Sequence, residues 1–441
     1  MNLMNDMIDY LNYYRDFLEK HHSADVEIFL VNNNYYNIEY IDNFAEYRHE
    51  EQKGIGVRIF YDTYTEFRCC DGWSIETFNQ MMKAKSFCSK VPTCSKMDIK
   101  KKCISLAGEQ LDFNSFLSTS KEMLNMFKKN FINIPHSIIR DIYKNKEVIK
   151  FGVEYKQEEY IILSNVARNG YSIRNVFQPS LMSTAGECIE YISPNILPFD
   201  CYNSLLQKTC ESSRLPIRSF GYKSRYFLFS GNAVAIIIYC LSLLLSKNMI
   251  VTGNSFFCLK DIGKKILDDR INLEENSSEN KVIIGSVDGE GIPRRICSII
   301  ENGYLKTMFS DYAPEYGLIS SGSAYRFLHT ELPYIKPSKV FLKGDKDIKS
   351  IETEYNTFFK IEDLNGFVES FDPKTSEFSA QTIAVLYKNG LPVIKCKLNL
   401  SGKIVELLKE VVETYNDYHY GIDGSIYTGS ILINYNDFRI I

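Results

Sequence analysis

Histidine is scarce in this chain: 441 residues contain six, His21, His22, His49, His136, His329 and His419, with none between His136 and His329. His49-Glu50 is the one His-Glu pair, and no second histidine follows at the spacing of a helical H-E-x-x-H zinc site, so it reads as a polar loop pair. The 12 cysteines include no C-x-x-C pair, which excludes a zinc knuckle or a thioredoxin-type site; Cys69 and Cys70 are simply adjacent. A G-x-S-x-G nucleophile elbow, a P-loop and a dinucleotide fingerprint are also missing, so no common soluble cofactor is indicated. Gly54-Ile55-Gly56 lacks a third glycine and reads as a turn into the strand VRIFY.

An excess of either charge is lacking too. Lys plus Arg total 51 against 55 Asp plus Glu, and a net charge of -4 gives no general attraction to nucleic acid or to an anionic membrane. No basic leader precedes an apolar core at the start, so a cytoplasmic protein with reduced thiols is expected. The apolar stretch from Tyr226 to Leu245 is interrupted by Ser230-Gly231-Asn232. It reads as a strand, YFLF, feeding a buried helix, AVAIIIYCLSLLL, too short to cross a bilayer.

What is present is the material of a large folded chain, 45% hydrophobic and 24% charged. Met4, Met7, Ile8, Leu11, Tyr14, Phe17 and Leu18 recur at helical spacing. Strands VEIFLV, YNIEYI, GVRIFY and TEFRCC follow, joined by turn-like stretches such as NNN, and Ser74 is placed to cap a helix carrying Phe78. Seven lysines between Lys83 and Lys102, balanced only by Asp98, read as a solvated linker rather than a phosphate site. Thr119-Ser120-Lys121-Glu122 has the capping-box pattern. Strands KEVIKFGVEY, EYIILSNV and YSIRNVFQ come next, the last two separated by a turn with Asn169-Gly170. Asp288-Gly289-Glu290-Gly291-Ile292-Pro293, between VIIGSV and ICSII, is dense turn chemistry, and Glu301-Asn302-Gly303 forms a second turn, so a β-meander is expected. A closing helix is expected around Ile404, Leu407, Leu408, Val411 and Val412.

These motifs resemble one family. DGEGIPRRICSIIENGYLKTMFSDYAPEYG, residues 288–317, is similar to the TldD/PmbA signature of an Asp-x-Glu-Gly turn, a strand, an Ile-Glu-Asn-Gly turn and a further strand. SSGSAYR at 320–326 resembles the family's Ser-Thr-Gly-Asn-x-x-Arg element, with Ser321 and Ser323 as departures. PSKVFLKGD at 337–345, TSEFS at 375–379, KNG at 388–390 and NLSGKIVELL at 399–408 keep the family's order. ADVEIFLV and GIGVRIFY resemble its N-terminal module, and EYIILSNVARNGYS its central segment.

The resemblance implies an α+β protein: an N-terminal mixed α/β module over 1–105, a central module over 106–222, and a C-terminal module over 223–441 rich in antiparallel strands around a buried helix. In the catalytic branch, a helix of this last module carries His-Glu-x-x-x-His and a later cysteine completes a zinc site. The matching positions here fall among Ile238, Tyr239, Leu243 and Leu244, none of which binds zinc. The late cysteine is missing as well; Cys396 lies in a preceding strand, and Cys240 and Cys258 read as core residues.

That pattern resembles the TldE-like branch, whose members pair with a zinc-bearing TldD-like subunit to cleave flexible or modified peptides. No catalytic or metal-binding residue is therefore expected in this chain, zinc is expected only in the partner, and a peptide is the implied substrate. Asp288, Glu290, Asn302 and Arg326 are the candidate family-motif residues. A stand-alone peptide-binding or maturation factor is the alternative, and an enzyme built on His329 and Glu331 is a third reading.

Overall fold

In the computed structural model the longest strands, of 14 to 17 residues, form the body of an eight-stranded sheet. Described are residues 2–20, 25–41, 44–61, 64–83, 89–92, 121–122, 125, 148–165, 169–183, 186–189, 205, 215–217, 225–285, 287–311 and 320–434. His21, His22, His136, most of the lysine-rich segment, Thr119-Ser120 and residues 312–319 of the signature lie outside them.

Helix α1 (Asn2–Lys20) precedes β1 (Asp25–Ile41), β2 (Phe44–Phe60), β3 (Tyr64–Asp71), α2 (Ile75–Lys83) and β4 (Ser89–Pro92). β5 (Val148–Ser164), β6 (Gly170–Ser183) and β7 (Gly186–Ile189) complete the first half. Strands β1 to β3 and β5 to β6, on either side of residue 105, share one sheet, in which β1 is paired along its length by β2 and β5. Ser74 caps α2 as expected, its Oγ accepting from the Thr77 N–H at 3.2 Å. Phe78 is fully buried against Tyr14 and Phe17, with ring centroids 4.9 and 5.0 Å away, and these contacts fasten α1 and α2 to one face of the sheet.

Three expected turns or loops are strand. The run Asn32-Asn33-Asn34 sits inside β1 because its amides find partners: Asn32 donates to Glu159 at 2.7 Å and Asn33 to the Phe327 carbonyl at 2.8 Å. His49-Glu50 is in β2, where the His49 ring stacks on Tyr36 at 4.1 Å. Gly54-Ile55-Gly56 also runs within β2, and its glycines serve close approach: a Cβ at Gly54 would come within 2.1 Å of the His329 ring, and one at Gly56 within 2.6 Å of the His329 carbonyl oxygen. Within the lysine-rich segment, Ser89–Pro92 pairs with β3.

The second half holds β8 (Tyr226–Phe229) and the apolar helix α3 (Asn232–Leu244), as the sequence indicates. There follow β9 (Leu273–Glu275), β10 (Ile283–Gly285), β11 (Cys297–Glu301), β12 (Tyr304–Leu305), β13 (Ala324–Tyr325), β14 (Tyr334–Ile335) and β15 (Val340–Leu342). β16 (Thr357–Ile361), β17 (Glu377–Lys388), β18 (Leu391–Lys403), β19 (Val411–Thr414), β20 (His419–Gly421), β21 (Ile426–Thr428) and β22 (Ile431–Asn434) finish it. Two six-stranded sheets, β12-β11-β9-β15-β21-β20 and β18-β17-β16-β8-β22-β19, share one core with α3. Most pairs are antiparallel; β15–β21 and β8–β16 are parallel. The architecture is α+β.

Two local readings change. ICSII (β11) does not meander from VIIGSV, because β10 leaves to join the edge of the large sheet beside β6, and β11 pairs with β9 and β12. The closing helix is one turn, Ile404–Leu407, since β-branched Val411 is drawn into a strand with Ile433. The Asn302-Gly303 turn is as read, with φ of 49° and 73° joining β11 to β12.

Because the Gly54 site is filled by the His329 ring, Gly54→Ala is expected to cost about 1–3 kcal/mol of unfolding free energy. Gly72→Ala is a control for steric crowding, having no atom within 4 Å of its added Cβ, although its φ of 76° carries a backbone cost of its own. Urea denaturation that leaves Gly54→Ala as stable as the parent would contradict the packing described.

Candidate functional site

The seam between the large sheet and the C-terminal half is built from charges set into otherwise apolar strands. Glu27, in VEIFLV, is almost fully buried and is gripped by Arg58 on the neighbouring strand through Nε at 3.0 Å and Nη2 at 2.6 Å. Arg326, arriving from the chain after β13, donates Nη2 to the same carboxylate and lies over the Phe29 ring, 4.4 Å from its centroid. Burial would raise the Glu27 pKa, but the two guanidinium groups override it and hold it below the usual range. A second pair joins Arg174 of β6 to Glu158 of β5 at 2.9 Å. Glu158 also accepts from the Tyr325 hydroxyl at 2.6 Å, and Arg174 reaches across to the Asp423 carbonyl and to Ser425.

Asp288 is fully buried and organises the turn that bears it. Its Oδ1 accepts from the N–H groups of Glu290 and Ile292, both at 2.9 Å, and its Oδ2 from Ala324 at 3.3 Å, which ties the turn to β13. Burial pushes its carboxyl up to about 6 despite Arg294. Glu290 is half-buried and near enough to Arg58 and Arg326 to raise their affinity for protons. The structure thus gathers Asp288, Glu290 and Arg326 at one seam. Asn302 is not part of it: it is an exposed turn residue whose N–H donates to Asn272 Oδ1 at 2.8 Å.

Behind the turn, Glu275 on β9 is completely buried; its Oε1 accepts from Ser323 at 3.3 Å, and Ser323 is 2.6 Å from Ser321. Burial outweighs Arg294 and raises the Glu275 carboxyl to about 8. The two serines that depart from the family pattern are therefore wired into a buried carboxyl. A narrow cavity of about 10 Å³ runs through this seam, lined by Asn33, Glu158, Tyr160, Ser172, Arg174, Ile283, Arg294, Tyr325 and Arg326. Of these, sequence reasoning singled out only Arg326. The usable signal was a charged residue interrupting an apolar strand, as in VEIFLV, GVRIFY and YSIRNV.

The helix positions of interest lie elsewhere. Ile238 and Leu244 are fully buried in the core around α3, and Tyr239 and Leu243 are half-buried. None carries a donor suited to zinc, and among the described residues no group of three or more His, Cys, Asp or Glu could hold a metal ion. The residues present do not fit a zinc centre at this helix. Cys240 is a core thiol, raised by burial to about 12, whereas Cys258 is exposed, 3.3 Å from Asp261, and not a core residue as expected. His329 and Glu331 do not form an acid–base pair. His329 is bonded through Nε2 to Asp71 at 3.0 Å, and Glu331 accepts from the N–H groups of Phe327 and Leu328.

Residues 226–439 match the PmbA/TldA metallopeptidase C-terminal domain. Over that span the chain is a member of the TldD/PmbA family. The TldD/PmbA likeness extends to solved structures. TldE from Thermococcus kodakarensis is 15% identical with a TM-score of 0.70, covering 96% of this chain and 98% of its own. A Thermotoga maritima protein described as a candidate modulator of a DNA gyrase is 15% identical with a TM-score of 0.68, covering 97% and 99%. At that identity they speak for the fold, which spans both halves. No curated protein sequence matches the chain. No helix among the described residues is long and apolar enough to cross a membrane.

The seam carries opposing pH dependences. Glu275 has a raised folded pKa, so its contribution is present near pH 4.5 and is lost as pH climbs toward about 8. Glu27 is depressed, and its contribution is lost as pH falls below its unfolded value of 4.5. Glu275→Gln is expected to flatten the loss of stability between pH 5 and 8, measured from urea midpoints; an unchanged slope there would refute the buried-carboxyl assignment.

Proposed function

We propose that this chain is a zinc-free, TldE-like subunit that pairs with a zinc-bearing TldD-like subunit in the cytoplasm, in a complex that cleaves flexible or modified peptides. The observation that carries the reading is the chemistry of α3. Where the family resemblance places His-Glu-x-x-x-His, this helix offers Ile238, Tyr239, Leu243 and Leu244, and hydrolysis would depend on a metal held by another chain. The chain's own contribution is shape and backbone. The first half of β2, Phe44–Gln52, is exposed, and among the described residues it pairs only with β1, so its outer edge offers main-chain groups to an extended segment.

The second reading, a stand-alone peptide-binding or maturation factor, is favoured by the same open edge without a partner. The seam residues Asp288, Glu290 and Arg326 are proposed to keep the two halves in register for either role rather than to act on substrate, since Asp288 and Arg326 already bond to protein groups.

Purified alone, the chain is expected to carry less than about 0.1 zinc per molecule by elemental mass spectrometry and to leave unstructured peptides intact. Co-expressed with a zinc-bearing family member, it is expected to co-purify, and the pair to cleave peptides until a chelator is added. Stoichiometric zinc in the isolated chain would defeat the proposal; failure to co-purify with retained peptide binding would favour the second reading.

A further inference from the structure

The cavity in the seam is lined by three guanidinium groups, Arg174, Arg294 and Arg326, and by one carboxylate, Glu158. Glu158 is taken by Arg174 and by the Tyr325 hydroxyl. Arg294 spends its N–H groups on uncharged acceptors: the Val287 carbonyl, Asn276 Oδ1, the Gly322 carbonyl and the Tyr160 hydroxyl. Glu275 and Asp288, which act on Arg294 electrostatically, are not part of the cavity wall. Buried nitrogens remain without any acceptor among the described residues: Arg174 Nε, and both Nε and Nη1 of Arg326. Each belongs to a side chain that lines the cavity, and the Arg326 side chain is wholly buried. A buried N–H left unmade is costly, and more so on a charged group. Arg326 is also pressed by burial and by Arg58, which lower its pKa to about 10.

We propose that this cavity is a binding site for one monoatomic anion, a halide such as chloride, held by the unpartnered N–H groups of Arg174 and Arg326 between the large sheet and the C-terminal half. Glu27 meets the Arg326 charge through Nη2 from outside the cavity wall, so an anion is selected by the N–H donors that the wall leaves without an acceptor. Size selects the class: about 10 Å³ is the space of roughly one water, and phosphate, sulfate or a carboxylate does not fit. Since Arg174 comes from β6 and Arg326 from the C-terminal half, the ion would act as a clip across the seam, with stability rising as the site fills.

Two measurements on the full chain test this. Replacing gluconate by chloride at fixed ionic strength is expected to raise the unfolding temperature by about 1–2 °C, saturating with concentration. Crystals grown in bromide are expected to show an anomalous peak within reach of Arg174 and Arg326. Arg326→Lys keeps a cation for Glu27 but removes the spare donors, and is expected to lose the chloride-dependent shift. Should that variant fail to fold, the bromide crystal of the parent decides. Identical unfolding in chloride and gluconate, or a bromide crystal with no anomalous peak in the cavity, overturns the proposal.

Discussion

One carboxylate shared by two guanidinium groups, Glu27 between Arg58 and Arg326, sets the constraint on which the two halves of the molecule depend. Taking such charges out of water is expensive, and only close, multiple hydrogen bonds offset the cost. Glu27 and Arg58 are on adjacent strands of the large sheet, so their side of the arrangement forms with the sheet itself. Arg326 arrives from 299 positions further along the chain and completes it. A misplaced C-terminal half would strand a buried cation. The seam therefore specifies position as well as adding adhesion, and Asp288, by tying its turn to β13, aims the segment that delivers Arg326.

The two halves are held by different physics. Around α3 the core is almost wholly aliphatic and aromatic, continuous across two six-stranded sheets, and indifferent to pH. The seam is polar, and its carboxyls respond in opposite senses to protons. Helix α3 lies at the centre of the apolar core, while the buried ionisable groups are concentrated where the halves meet.

Local pattern made much of this legible. The amphipathic opening helix, the Ser74 cap, the strand feeding α3 and the Asn302-Gly303 turn each follow from signals within a few residues. What the sequence hid depended on partners far away. Asn32 to Asn34 read as a turn because asparagine is poor in strands, yet Glu159 and the Phe327 carbonyl accept from the side-chain NH2 groups of Asn32 and Asn33. The glycines at 54 and 56 read as a turn because nothing nearby announces that His329 will lie on them. β10 read as one arm of a hairpin because its true neighbour, β6, is over a hundred residues upstream. The seam was the least visible: single charges in apolar strands are individually ordinary, and only their convergence reveals a site.

The exposed half of β2 has a consequence for behaviour at high concentration. An edge with no strand beside it among the described residues invites another molecule to add its own, the first step of uncontrolled self-association. Between Phe44 and Lys53 this strand carries Glu46, Arg48, Glu50, Glu51 and Lys53, with Arg48 paired to Glu46 and Lys53 to Glu51 along the same strand. Charged side chains along an edge strand are a known brake on edge-to-edge pairing, because a second copy would have to bring its own charges against them or strip them of water.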